Sequence, residues 1–410
     1  MRALAFASVL ALVLAPALAL GQQPETEIAS IEAGAHAEVA WTGLEAPVDI
    51  VFGPDGTMYY AEFETGKLRQ IPPGAEGPAP DALWSAPNLQ LGGERGFVGL
   101  ALAPDFATSH AFYVNYQTNK TGTIVTRLSR VVGGQETVLL DDIRSEKLHN
   151  SGRIAFLPDG NLLMSVGDAT LDTIGRDASM HAHDPTDLNG KVLRLTPEGE
   201  PVAGNAWGNE VFTKGHRNVY GLAVAPDGTI LATENGPDHY DEVNLLVGGK
   251  DYGWPTCSGP CDKSEYVDPI LEYYDTIAPT GAVWYKDSFY FSDFNKGRVH
   301  RVHPAANGSW YDERVVKFTT PRILDIAVGP DALYLSTWDS VWRVTPGPAQ
   351  NATLPVETPS TGSGAPTPPT ESTSATPAPT AAAGRGVPGP GVWAAVAVAA
   401  AALARGRRNF

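Results

Sequence analysis

The stretch Val224-Ala-Pro-Asp-Gly-Thr-Ile-Leu-Ala232 decides the fold class. One apolar strand runs into Pro-Asp-Gly and a second leaves it. Proline presets the first turn angle, and Asp and Gly accept the conformations that reverse the chain, so the stretch reads as a β-hairpin. The same signal recurs as Val51-Phe-Gly-Pro-Asp-Gly56, Leu102-Ala-Pro-Asp-Phe106, Phe156-Leu-Pro-Asp-Gly160 and Val328-Gly-Pro-Asp331, with Val283-Trp-Tyr-Lys-Asp287 as a degenerate copy. A β-rich run follows each, such as Thr57-Met-Tyr-Tyr60, Leu162-Leu-Met-Ser165 and Leu333-Tyr-Leu-Ser336. Hairpins repeating at roughly 45 to 70 residues predict an all-β, six-bladed β-propeller over residues 35–346, with five or seven blades as the alternatives. No long stretch carries a clear 3.6-residue period, so helices are expected to be few.

The two ends have different compositions. Met1-Arg2 followed by the apolar run to Leu20, with Ala17-Leu18-Ala19, reads as a secretory signal over residues 1–20. From residue 347 to 387 the chain is mostly Pro, Thr, Ser, Ala and Gly, too polar and breaker-rich to bury a core, and reads as a disordered stalk. Residues 388–410 carry Pro388-Gly389-Pro390, an apolar run from Val392 to Ala404, and Arg405, Arg407 and Arg408. That order resembles the sorting tails of archaeal surface proteins, although Pro390 stands where those usually carry Phe; a plain membrane anchor is the alternative. The expectation is an exported protein held at the cell surface through its C-terminal segment.

With 46 acidic against 29 basic residues the net charge is −17. Nucleic-acid partners call for basic stripes and are excluded on that ground. The two cysteines, Cys257 and Cys261, lie in one short loop, where an exported protein is expected to form a local disulfide.

Function in a propeller sits on loops converging at one end of the channel. Four segments carry chemistry: Gly93-Glu-Arg-Gly-Phe-Val-Gly99, Leu148-His-Asn-Ser-Gly-Arg153, Gly215-His-Arg-Asn-Val-Tyr-Gly221, and Thr233-Glu-Asn-Gly-Pro-Asp-His-Tyr-Asp-Glu-Val-Asn244 running on to Asp251-Tyr-Gly-Trp-Pro255. The first three precede inner strands, so the repeat is expected to bring His149, Arg217 and Asn218 together. An imidazole there suits removal of a hydroxyl proton, and a guanidinium suits stabilisation of an oxyanion or a reduced cofactor. The acidic loop, with carbonyls at Gly236 and Pro237 and carboxylates at Asp238, Asp241 and Glu242, suits Ca²⁺, which takes six to eight oxygens.

Together and in this order, these motifs resemble the soluble quinoprotein glucose and aldose sugar dehydrogenases. The resemblance implies a six-bladed propeller holding pyrroloquinoline quinone (PQQ) and Ca²⁺, with an aldose sugar as substrate and an extracytoplasmic electron acceptor. It implies His149 as the base, Arg217 as the group polarising the quinone, and Asn218 and Asn235 as cofactor contacts. Lys296 and Arg322 match the cations that hold an acidic cofactor, and Glu94 falls where substrate is touched. The carbonyls of Gly236 and Pro237 would ligate one Ca²⁺, and Glu242 with the carbonyl of Tyr252 a second. Leu148 and Leu324 stand where the glucose enzymes carry Asp and Arg, and Asn235 replaces Gln, which favours the broader aldose branch or an unrelated small alcohol as substrate. The other readings are a non-catalytic surface propeller binding glycans or proteins, and a calcium-dependent lactonase.

Overall fold

The computed structural model describes residues 28–170, 176–305, 307–319 and 322–349. The expected leader, most of the stalk and the C-terminal segment lie outside them. Six small antiparallel sheets form a six-bladed β-propeller. Among the described residues helix is confined to Phe106–Ser109 and the 3₁₀ segment Arg176–His183. No helix among the described residues is long and apolar enough to cross a membrane.

Each Pro-Asp signal sits between the inner and second strands of a blade. Blade 1 begins with Pro47–Phe52 and Met58–Glu62, blade 2 with Phe97–Leu102 and Phe112–Lys120, and blade 3 with Ser151–Phe156 and Leu162–Val166. Blade 4 begins with Val219–Val224 and Ile230–Glu234, blade 5 with Pro279–Tyr285 and Ser288–Asp293, and blade 6 with Asp325–Val328 and Leu333–Ser336. The ring closes because His36–Thr42, from the N-terminal side, pairs with Ser340–Thr345 and completes blade 6. A strand that the sequence reading did not anticipate, Ile28–Ile31, adds to the outer edge of blade 5. Arg301, fully buried, ties this start of the propeller to its end: it contacts Glu32 and donates to Gly347 O at 3.1 Å.

Six apolar clusters lie between successive blades, one per interface. Each sheet is thus apolar on both faces, which is why second strands such as Met58–Glu62 are buried along their whole length.

The inner strands meet at the axis. The residue at one fixed spacing before each turn is, in blade order, Asp49, Gly99, Arg153, Gly221, Gly281 and Asp325. Glycine leaves the room: a Cβ on Gly99 would lie 2.0 Å from Gly152 O, and one on Gly281 1.9 Å from Asp325 Oδ1. Into that space reaches the guanidinium of Arg153. Its Nη1 lies 3.1 Å from both Asp49 and Asp325; Nη2 donates to Val48 O (3.2 Å) and Leu324 O (3.1 Å), and Nε to Tyr220 O (2.9 Å). Three of its N–H bonds thus go to backbone carbonyls, and Nη1 forms an ion pair with each of the two carboxylates. The two carboxylates in turn accept the backbone N–H of Leu100 and Ile50, each at 2.9 Å. Burial pushes both carboxyl pKa values up against the pull of Arg153, Asp49 most strongly.

Arg153→Met keeps the stem and strands two buried acids. We expect a loss of about 3 kcal/mol or more in unfolding free energy, read from the denaturant midpoint. An unchanged midpoint would show that the axial ion cluster contributes nothing.

Candidate functional site

One end of the channel carries the segments entering each inner strand and the loops between second and third strands. In blade 3 the second strand runs on through Gly167 to Asp168, which is fully buried. Asp168 Oδ1 accepts His149 Nδ1–H at 2.8 Å and the Thr170 hydroxyl at 2.9 Å, and Oδ2 accepts the Trp254 indole N–H at 2.8 Å. A carboxylate only accepts, so Nδ1 carries the hydrogen and the basic lone pair of His149 is on Nε2. Burial alone would raise the Asp168 pKa. The bond and charge of His149, with Arg217 and Trp254, instead hold it at about 2. The acid is therefore ionised at neutral pH and steadies a protonated imidazole.

Three residues around this pair are left-handed without being glycine: His149 (φ 56°), Ser151 (51°) and Ala169 (48°). Such strain persists only where the surroundings over-determine it. Gly167 is part of the fit, since a Cβ there would lie 2.0 Å from His149 O.

Blade 4 repeats the device. Glu234, the last residue of its second strand, holds His216 Nδ1 at 2.9 Å through Oε2 and accepts the Arg217 backbone N–H through Oε1. His216 also bonds Thr213 at 2.9 Å through Nε2 and is fully buried, so it braces the segment that presents Arg217. The Arg217 guanidinium donates from Nη1 to Asn235 O (3.0 Å) and Gly236 O (2.8 Å), and lies 5.5 Å from the Trp254 ring centre. Trp254 arrives there because the excursion from residue 246 to 270 runs beside residues 214–218, with Trp254 N–H donating to Gly215 O at 3.0 Å.

The structure brings the expected trio together. Glu94 Oε2 accepts His149 N–H at 2.7 Å and Asn218 Nδ2–H at 3.3 Å, Asn218 Oδ1 accepts the Ser151 hydroxyl at 2.9 Å, and Asp168 N–H donates to Arg217 O at 2.8 Å. Glu94 thus buckles two site segments to each other.

The acidic loop divides. Asp238 is exposed. Asp241 turns inward and accepts the backbone N–H groups of Gly236, Ile277 and Ala278 at 2.6–2.8 Å. Burial lifts its pKa to about 6 against those bonds. Glu242 alone of the three lines a cavity of about 10 Å³, the size of one water or small cation, together with Glu234, Gly236, Pro237, Arg217 and Tyr252. Burial and then the facing charge of Glu234 push the Glu242 pKa up to about 8. No group of three or more His, Cys, Asp or Glu that could hold a metal occurs among the described residues. The donors available to a cation here are two carboxylates and backbone carbonyls. In this arrangement the Gly236 carbonyl is already taken by Arg217.

Lys296 lies half-buried on the corresponding loop of blade 5, its backbone N–H held by Asp293 at 2.8 Å, and exposed Arg322 lies between blades 5 and 6 at φ 109°. With Arg217 they place three cations on the loops of neighbouring blades in a strongly acidic chain, a donor set suited to an acidic ligand. Asn235 donates its side-chain N–H to Pro279 O at 2.9 Å. Cys257 and Cys261 are disulfide-bonded.

Asp168 escaped the sequence reading, whereas His216, Glu234 and Trp254 lie inside the quoted segments without an assigned role there. A signal was present: the second strand or its extension reaches an acid in four blades, at Glu62, Asp168, Glu234 and Asp293.

A family profile described as Glucose / Sorbosone dehydrogenase matches residues 44–341. Quinoprotein glucose dehydrogenase B of Acinetobacter calcoaceticus is 30% identical over 260 residues, 56% of this chain and 54% of that protein, so the match spans about half of its length. Aldose sugar dehydrogenase of Escherichia coli is 28% identical over 344 residues, 74% of this chain and 90% of the relative. Among solved structures, the PQQ-bound form of aldose sugar dehydrogenase from Streptomyces coelicolor superposes with a TM-score of 0.66 at 26% identity, over 77% of this chain and all of the other.

Asp168→Ala leaves the His149, Thr170 and Trp254 donors without their acceptor in a buried place. We expect it to lower stability by about 3 kcal/mol in denaturant unfolding, and Asp168→Asn, which retains one acceptor, to cost less. Equal, negligible losses would mean that the network is solvated.

Proposed function

Because the chain belongs to the glucose/sorbosone dehydrogenase family, we propose that it oxidises the C1 hydroxyl of aldose sugars to the lactone with PQQ and Ca²⁺, and passes electrons to an external acceptor. The observation that carries this reading is the buried Asp168–His149 pair joined to Arg217 and Asn218 at one end of the channel. The names of the relatives support the sugar and the quinone.

When bound, PQQ supplies a two-electron acceptor for the hydride from C1. The chain supplies the rest. His149 Nε2 takes the proton of the C1 hydroxyl, and ionised Asp168 stabilises the resulting imidazolium while fixing its tautomer. Arg217 holds a fixed positive charge where negative charge collects, kept in place by Asn235, Trp254 and the brace of Glu234 and His216. Asn218 and Asn235 orient through their amides, and Lys296 and Arg322 neutralise acidic groups of the ligand. Glu94, which touches both the base segment and Asn218, sets the position of the substrate edge.

Calcium would be held by the carbonyls of Gly236 and Pro237 and, at a second place, by Glu242 with the carbonyl of Tyr252. Hard oxygen donors around two buried acids suit that ion. Arg217 must release the Gly236 carbonyl for the first of these.

Purified protein reconstituted with PQQ and Ca²⁺ is expected to reduce a dye acceptor when aldoses are added, and to stop when the calcium is chelated. His149→Ala is expected to lower kcat about 100-fold or more while PQQ binding stays within about threefold. Absence of both a cofactor spectrum and dye reduction would sink the enzyme reading.

We further propose, from residues 1–20 and 388–410, that the enzyme works outside the cytoplasm, tethered through its C-terminal segment. Intact mass of the native protein is expected to show loss of the leader. A mass that includes residues 1–20 would contradict export through it.

A further inference from the structure

The excursion between the third and fourth strands of blade 4, His239–Leu245 and Leu271–Asp275, carries both cysteines of the chain. Cys257 and Cys261 stand four positions apart and close a small ring. A disulfide restrains the unfolded chain more as its loop lengthens, so this one does little for the fold as a whole. Its effect is local. The middle residue of the ring, Gly259, is left-handed at φ 76° and donates its backbone N–H to Glu242 Oε1 at 2.7 Å. Asn244 Nδ2–H meets the other oxygen, Oε2, at 3.1 Å. Between them these donors fix the Glu242 carboxylate beside the small cavity, which Cys257 and Ser258 also line.

The ring is pinned at both ends. Cys257 N–H donates to Gly253 O at 2.8 Å, and Cys261 N–H to Asp268 Oδ1 at 2.7 Å. The packing under it leaves no slack, since a Cβ on Gly259 would lie 2.7 Å from the Tyr240 ring. The same excursion supplies Tyr252, whose N–H donates to Lys214 O at 2.9 Å and whose ring stacks on His216 at 4.8 Å. Tyr252 is thus held by the segment entering blade 4, whereas the aim of Glu242 depends on the disulfide ring. A carboxylate taken out of water needs donors, and groups that orient a metal-binding side chain typically govern metal affinity by about 10- to 100-fold.

We propose that the Cys257–Cys261 ring is a positioning element for a cation: by setting the Gly259 N–H on Glu242 it preforms the second calcium place, so that calcium affinity follows the oxidation state of this cysteine pair. This rests on the calcium reading above, which it deepens. Both cysteines are half-buried, within reach of a small thiol reagent. Dithiothreitol supplies two electrons and two protons to the pair, giving two thiols and the cyclic disulfide of the reagent.

The test is calorimetric titration of the chelator-stripped, full-length protein with Ca²⁺ in the absence of PQQ, which reads the chain's own donors without turnover. Three forms are compared: oxidised wild type, wild type reduced with dithiothreitol, and the double variant Cys257→Ser/Cys261→Ser. The reduced and double-serine forms are expected to bind Ca²⁺ about 10-fold more weakly than the oxidised protein. Gly259→Ala, which displaces the N–H donor while the disulfide stays intact, is expected to show the same loss. Reduced wild type carries the comparison for any variant that does not fold. Denaturant midpoints measured in chelator separate positioning from stapling. Equal affinity in the oxidised and reduced forms, with or without a lowered midpoint, would overturn the proposal and leave the calcium reading standing. Absence of Ca²⁺ binding in the oxidised protein would sink the calcium reading and this proposal with it.

Discussion

Arg153 is the one side chain on which the arrangement of all six blades converges. It comes from blade 3, donates to carbonyls of blades 1, 4 and 6, and pairs with acids of blades 1 and 6. Asp49 extends the cluster to blade 2 through Leu100 N–H, and Gly281 of blade 5 packs against Asp325. A guanidinium taken out of water survives only when its charge and donors are met, and here three carbonyls and two carboxylates surround it. The consequence for the site is direct. Arg153 lies four residues after His149 and binds the carbonyl of Tyr220, three after Arg217. The axial pin thus sets the register of the two segments that carry the candidate base and the candidate guanidinium.

A second constraint repeats from blade to blade. An acid at or just past the end of the second strand grips a histidine: Asp168 with His149, Glu234 with His216, Asp293 with His300. In blade 5 the histidine is fully buried, stacked on Phe291 at 4.3 Å and paired with Asp312 as well as Asp293. Those two acids overcome the burial that would lower its pKa and raise it to about 9, as a structural cation. In blade 4 the pair braces Arg217. In blade 3 the same pair sits beside Trp254 and Arg217 at the channel end, where His149 is the proposed base. One scaffolding device has acquired three roles through its surroundings.

How much of this was legible in the sequence follows from which interactions are local. Pro-Asp-Gly turns are local chemistry, and they announced every inner hairpin, including the degenerate copy at Lys286-Asp287. His149, Arg217 and Asn218 stood out because they enter inner strands at matched places, and the fold joins them through Glu94 and Ser151. Asp168 did not stand out, since its role depends on His149, nineteen positions away, and on Trp254, which reaches it only by the excursion beside residues 214–218. Asp241 and Glu242 looked alike as neighbouring acids. Strand alternation separates them, one toward backbone N–H groups and the other toward the cavity. Ile28–Ile31 carried no turn signal, because it joins blade 5 by edge pairing with a strand nearly three hundred residues away.

The central proposal is a quinone site at this end of the channel, with Arg217 as its cation. A crystal structure with PQQ and Ca²⁺ tests it most directly. The account predicts the quinone in contact with Arg217 and Asn218, and a cation on the carbonyls of Gly236 and Pro237, with the 2.8 Å bond from Arg217 to Gly236 O released. A quinone bound elsewhere, or Arg217 still on that carbonyl with no cation beside it, would contradict the account.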